Sequence, residues 1–112
     1  MNRMDQQRGE SVLESFVKAC ERQISDRKER VRITRGAAKR AEKEIGTRDL
    51  LSVIQKITEL EFTYVSNQPH GKIPGAVITA YTWNINNKEN GYLAFYQQKR
   101  IWWIKSFHKS EN

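Results

Sequence analysis

The chain has 112 residues, 29% of them charged, and a formal net charge of +7, a length that suits one domain with one core. Such a balance favours polyanions: nucleic acid first, an acidic protein second, an anionic membrane surface third. Cys20 is the only cysteine, which excludes an internal disulfide and a cysteine zinc cluster; no apolar run approaches the roughly 20 residues of a membrane span.

Residues 1–10 are polar and read as a flexible tail. They lack the apolar segment of a signal peptide, so a cytoplasmic protein without membrane contact is expected. Ser11 and Glu14 have capping-box spacing. Val12, Leu13, Phe16, Val17, Cys20 and Ile24 then share a helical face, which predicts a first helix over 12–27. Cys20 lies on that apolar face and reads as a small buried hydrophobe rather than a nucleophile.

From Arg27 to Arg48 the chain is strongly basic. Residues 30–34 alternate charged and β-branched types, which suits a short edge strand. Thr34 is placed to cap a second helix over 35–45, with Gly46 as its stop. Ala37, Ala38, Ala41 and Ile45 share one arc of that helix; Arg35, Lys39, Arg40 and Lys43 take the opposite arc. Such a stripe is either an ordinary solvated face or a phosphate-contacting one. Thr47 is the expected cap of a third helix over 48–58, with Asp49 favouring its positive end. From Leu60 the apolar period shortens to two, which suits a strand or the frayed end of the third helix running into one, and residues 66–75 read as a loop carrying both prolines, His70 and Lys72.

The last third reads as an antiparallel meander. Its runs are 76–85, 92–97 and 101–107, joined by the turn-forming cluster 86–91 and by Gln98-Lys99-Arg100. Trp102 and Trp103 are adjacent, so on a strand they point to opposite faces and cannot both enter one core. Helices followed by strands predict an α+β fold, with the N-terminal helices packed on one face of a C-terminal antiparallel sheet. There is no Gly-rich phosphate loop and no hydrolase or zinc-protease signature. Two histidines and one distant cysteine do not make a metal set, so neither a metal nor a cofactor is expected.

VRITRGAAKRAEKEIGTRDLLSVIQKITELEF, then the loop, then GYLAFYQQKRIWWIKSFHKSEN, resembles the RelE-like superfamily of small ribonuclease toxins, nearest to its MqsR branch. The matching pieces are Thr34-Arg35, the apolar helix from Asp49 to Leu60, Glu61-Phe62-Thr63-Tyr64, Gly91-Tyr92-Leu93 and Ser106-Phe107-His108-Lys109. The resemblance spans about residues 31–110 and leaves the additional helix of residues 11–30 without an implied role. It implies an endoribonuclease that cuts mRNA, on or off the ribosome, and is inhibited by a cognate antitoxin. Tyr92 stands where the family carries a strand tyrosine. His108 stands where the family carries a lysine at the end of the last strand, so it becomes the candidate for proton transfer.

The implied chemistry is metal-free transesterification. A base removes the ribose 2′-OH proton, the oxygen attacks the adjacent phosphorus, and an acid protonates the leaving 5′-oxygen. Imidazole titrates near about 6.5, which suits either proton role. His70 is the second candidate. Lys105, Lys109 and Arg35 are candidates for neutralising the phosphorane, and Arg35, Lys39, Arg40 and Lys43 for holding RNA. Lys105 and His108 are three apart, so a straight strand points them to opposite faces, and they cooperate only if the strand ends or bulges at Ser106–Phe107. Two other readings stand beside this one: a non-catalytic RNA- or DNA-binding module that uses exposed aromatics and the basic stripe, and a basic interaction protein that binds an acidic partner.

Overall fold

The computed structural model describes residues 3–47, 49–85 and 88–110, with the backbone alone over residues 3–10. The apolar residues expected on one face of the first helix form the inner face of α1, Arg3–Asp26. Phe16 and Cys20 are fully buried, and Val12, Leu13, Val17 and Ile24 pack at the margin. Burial, with a smaller contribution from Glu21, pushes the Cys20 thiol up to about 12, so it stays protonated and serves packing alone. The helix starts at Arg3 rather than near Val12. The expected tail is therefore helical from Arg3, because polar residues of good helix propensity do not stop propagation. Ser11 and Glu14 accordingly sit inside the helix, and Ser11 does not cap it.

A buried glutamine joins α1 to the sheet. Gln23 Oε1 accepts from the backbone N–H groups of Arg30 and Val31 at 2.6 and 2.7 Å, and its Nε2 donates to the Val31 carbonyl at 3.2 Å. That clamp satisfies backbone groups that the sheet leaves over and sets the start of β1, Val31–Ile33. α2 follows at Arg35–Ile45, capped by the Thr34 side chain and closed by Gly46 at φ 84°, both as expected. α3 spans Leu50–Glu59. Its cap is Asp49, not Thr47: the Asp49 carboxylate accepts from the Ser52 N–H at 2.7 Å, and that bond holds its pKa below the ordinary value. A cap must sit immediately before the first helical residue, and Thr47 lies too early; its buried hydroxyl has no partner among the described residues. Arg48 lies outside the described residues.

β2 (Phe62–Pro69), β3 (Val77–Ile85), β4 (Glu89–Gln98) and β5 (Ile101–Lys109) complete a sheet of order β1-β5-β4-β3-β2. β3 to β5 form the antiparallel meander expected from the short connections, and β2 extends it by pairing antiparallel with β3. β1 pairs with β5 in parallel, so the sheet is mixed rather than wholly antiparallel. No turn links those two strands, and nothing local dictates their relative direction. β2 also runs on to Pro69, into the segment expected to be loop. It is an edge strand, where a terminal proline forfeits no ladder bond. The expected turn residues Asn86 and Asn87 lie outside the described residues.

The β4–β5 turn has positive φ at two non-glycine residues, Lys99 (51°) and Arg100 (69°). A two-residue hairpin demands this geometry, and asparagine or glycine meets it with less strain. Lys99→Asn is expected to raise stability by about 0.5 to 1 kcal/mol, read as a higher midpoint in urea unfolding at unchanged slope.

All three helices contribute to one core on a single sheet face. Phe16 and Cys20 of α1, Ala41 of α2, and Val53, Ile54 and Ile57 of α3 meet Tyr81, Trp83, Leu93, Phe95, Ile104 and Phe107. Phe16 stacks on Phe95 at a centroid distance of 4.0 Å, and Trp102 meets both edge-on. Trp103 takes the other face, with the Arg32 guanidinium 5.5 Å from its ring centroid. The two adjacent tryptophans are thus divided between faces, as alternation requires.

Candidate functional site

Leu93 and Phe95 point into the core, so Tyr92, Ala94 and Tyr96 occupy the opposite sheet face. β5 adds His108 beside Tyr92 and Ser106 beside Ala94. The register then slips: Phe95 pairs with Ile104, leaving Lys105 as an extra residue. This bulge explains how Ile104 and Phe107, three apart, are both fully buried. It also brings Lys105, Ser106 and His108 to one face, as cooperation of Lys105 with His108 requires, although the irregularity falls at Lys105 and not at Ser106–Phe107. His108 lies within β5 rather than past its end, because β5 continues to Lys109.

These residues form one wall of an open cleft of about 350 Å³, lined by Thr34, Gly36, Ala37, Arg40, His70, Tyr96, Lys105, Ser106 and His108. α2 packs along β5 and supplies Arg40 and its small N-terminal residues. The far wall is the turn after β2, tied down by a 2.9 Å bond from the His70 N–H to the Ala76 carbonyl.

Backbone partners orient the two imidazoles differently. His108 Nδ1 lies 2.9 Å from the Lys109 carbonyl oxygen. A carbonyl only accepts, so Nδ1 bears a hydrogen, and in the neutral tautomer this selects, Nε2 has the lone pair. His70 Nδ1 accepts from the N–H groups of Lys72 and Ile73 at 3.0 and 3.1 Å, which places the proton on Nε2. One ring therefore offers the cleft an acceptor and the other a donor. The His108 ring lies nearly parallel to Tyr92 at 5.6 Å, and His70 meets Tyr96 edge-on at 4.8 Å.

Tyr96 went unnoticed in the sequence, where it reads as one more core aromatic. It is 7% exposed and lines the cleft, and its phenol makes no hydrogen bond among the described residues. Burial raises its pKa above the ordinary value, so it remains a neutral donor. Among the described residues no carboxylate pairs with Lys105, whereas Arg40 is paired with Glu44.

The remaining sequence candidates lie outside the cleft lining. Lys109 turns to Glu89, 3.6 Å away. Tyr92 supports the His108 ring from the side. Arg35, Lys39 and Lys43 are exposed on α2. No family model, curated protein or solved structure matches the chain.

Proposed function

We propose that this protein is a metal-independent endoribonuclease that cleaves by attack of a ribose 2′-OH on the adjacent phosphorus. The supporting observation is the convergence of two oppositely oriented imidazoles with Lys105 and Arg40 in one cleft. His108 Nε2 takes the 2′-OH proton as the O2′–P bond forms. His70 Nε2–H, the Tyr96 phenol and the Arg40 guanidinium bind the non-bridging oxygens, whose charge grows in the phosphorane. The P–O5′ bond then breaks, and the departing oxygen takes a proton from the Lys105 ammonium. The products are a 2′,3′-cyclic phosphate and a 5′-hydroxyl. The RelE-like resemblance points to mRNA as substrate and adds an inhibitory antitoxin, which would have to cover this cleft.

Purified protein incubated with a long mRNA is expected to cut it equally well with and without EDTA, leaving cyclic phosphate ends. A single 2′-deoxy substitution at the cleaved nucleotide should abolish the cut. If pure preparations bind the RNA and never cleave it, the enzyme reading falls and a binding module takes its place.

A further inference from the structure

A second cationic groove lies on the side of the sheet that α1 covers. It encloses about 350 Å³ and is lined by Ser15, Lys18, Ala19, Arg22, Arg30, Arg100 and Trp102. Lys18 and Arg22 are one turn apart on α1 and exposed. Arg100 comes from the other side, held by the β4–β5 turn at φ 69°. Arg30 is already neutralised by Asp26 at 2.6 Å. Among the described residues no carboxylate pairs with Lys18, Arg22 or Arg100. Three cations from two separate elements therefore face one groove with no carboxylate paired to any of them among the described residues. Half-buried Trp102 borders the groove, its ring fixed by Phe16 and Phe95.

We propose that this groove binds single-stranded RNA, holding the backbone phosphates on Lys18, Arg22 and Arg100 while a base packs on Trp102. The fixed indole beside unpaired cations is the combination that base stacking with phosphate neutralisation requires. β5 runs from this groove to the cleft: Arg100 and Trp102 stand at its start, Lys105, Ser106 and His108 further along. Arg100 and Lys105 are separated by roughly 16 Å of strand. Between them, on the cleft face beside the β1 edge, Trp103 presents an aromatic ring with the Arg32 guanidinium over it, itself paired with Glu29 at 2.6 Å. The strand leads a flanking stretch of the same RNA from α1 to the bond that is cut, and this gives the N-terminal helix a function. The inference rests on the ribonuclease reading only for what happens at the far end of the path.

The test is a triple variant, Lys18→Ala with Arg22→Ala and Arg100→Ala, titrated against a labelled 2′-O-methyl oligouridylate that cannot be cleaved. Affinity is expected to fall at least about tenfold near 0.1 M salt. The slope of log affinity against log salt should flatten by about 2, since each lost contact to a single strand removes about 0.7. Cleavage of a dinucleotide should be unchanged, because none of the three residues lines the His108 cleft. If the variant binds the oligonucleotide as the parent does, or loses affinity only for polyglutamate, the groove is not an RNA site. If the parent cleaves no RNA yet the variant loses oligonucleotide binding as described, the groove stands and the ribonuclease reading falls.

Discussion

His108→Ala is expected to slow RNA cleavage by roughly 10² to 10⁴, the range typical of a proton-transfer group, with RNA affinity nearly unchanged. The ring is oriented by its own backbone: Nδ1 meets the Lys109 carbonyl, Tyr92 lies against one side, and Nε2 is the nitrogen proposed to take the 2′-OH proton. No other group lining the cleft pairs a free imidazole lone pair with a rigid strand position. Single-turnover cleavage, with affinity measured separately on a non-cleavable oligonucleotide, distinguishes chemistry from binding. His70→Asn is the matched control. An asparagine oxygen can replace Nδ1 as acceptor for the Lys72 and Ile73 N–H groups while the cleft loses the Nε2–H donor. Loss of one such donor costs about 10² to 10³ without removing the base. If the His70 variant is dead and His108→Ala cleaves normally, the base has been assigned to the wrong ring.

Gly91→Ala is expected to be the most damaging single-methyl addition in the sheet. Gly91 pairs with Trp83 across the β3–β4 ladder, and a Cβ there would lie 1.8 Å from the indole Cε2. Trp83 is 2% exposed and packs on Phe107 at 6.0 Å between centroids, so its ring has nowhere to go without reopening the core. Overpacking of this kind costs about 3 kcal/mol, which urea unfolding would show as a lower midpoint. Trp83→Phe trims the part of the ring that collides. The double variant should therefore recover more than about 1 kcal/mol relative to additivity. A loss below about 0.5 kcal/mol for Gly91→Ala would mean that the indole does not rest on the glycine.

What could be read from the sequence was what local chemistry decides. Thr34 and Gly46 delimit α2 because capping acts over three or four residues, and the meander follows from connections too short to cross over. The division of Trp102 from Trp103 needs only the pleat. What could not be read depends on partners far along the chain. The parallel pairing of β1 with β5 is made between residues about seventy positions apart. The meeting of His70 with His108 depends on β2 outlasting its turn-like composition and on the following turn folding back over the sheet. Tyr96 could have been found by counting faces: Leu93 and Phe95 fill the core, so the aromatic next to Phe95 must look the other way. Lys105 was legible only as a condition, because a bulge is a disagreement between two strands and cannot be seen in either alone.

That bulge has a consequence for how such a site could arise. Without Lys105, Ile104, Ser106, Phe107 and His108 would alternate regularly, inward and outward, and the core would be filled by the same side chains. The residue is surplus to folding. A one-codon insertion into a regular strand is enough to place a cation beside the two imidazoles without moving either to the wrong face. The reverse deletion would leave the hydrophobic pattern intact and remove only the charge. In this strand the means of acquiring the proposed reactive centre and the means of building a core are separable by a single reading-frame-preserving event.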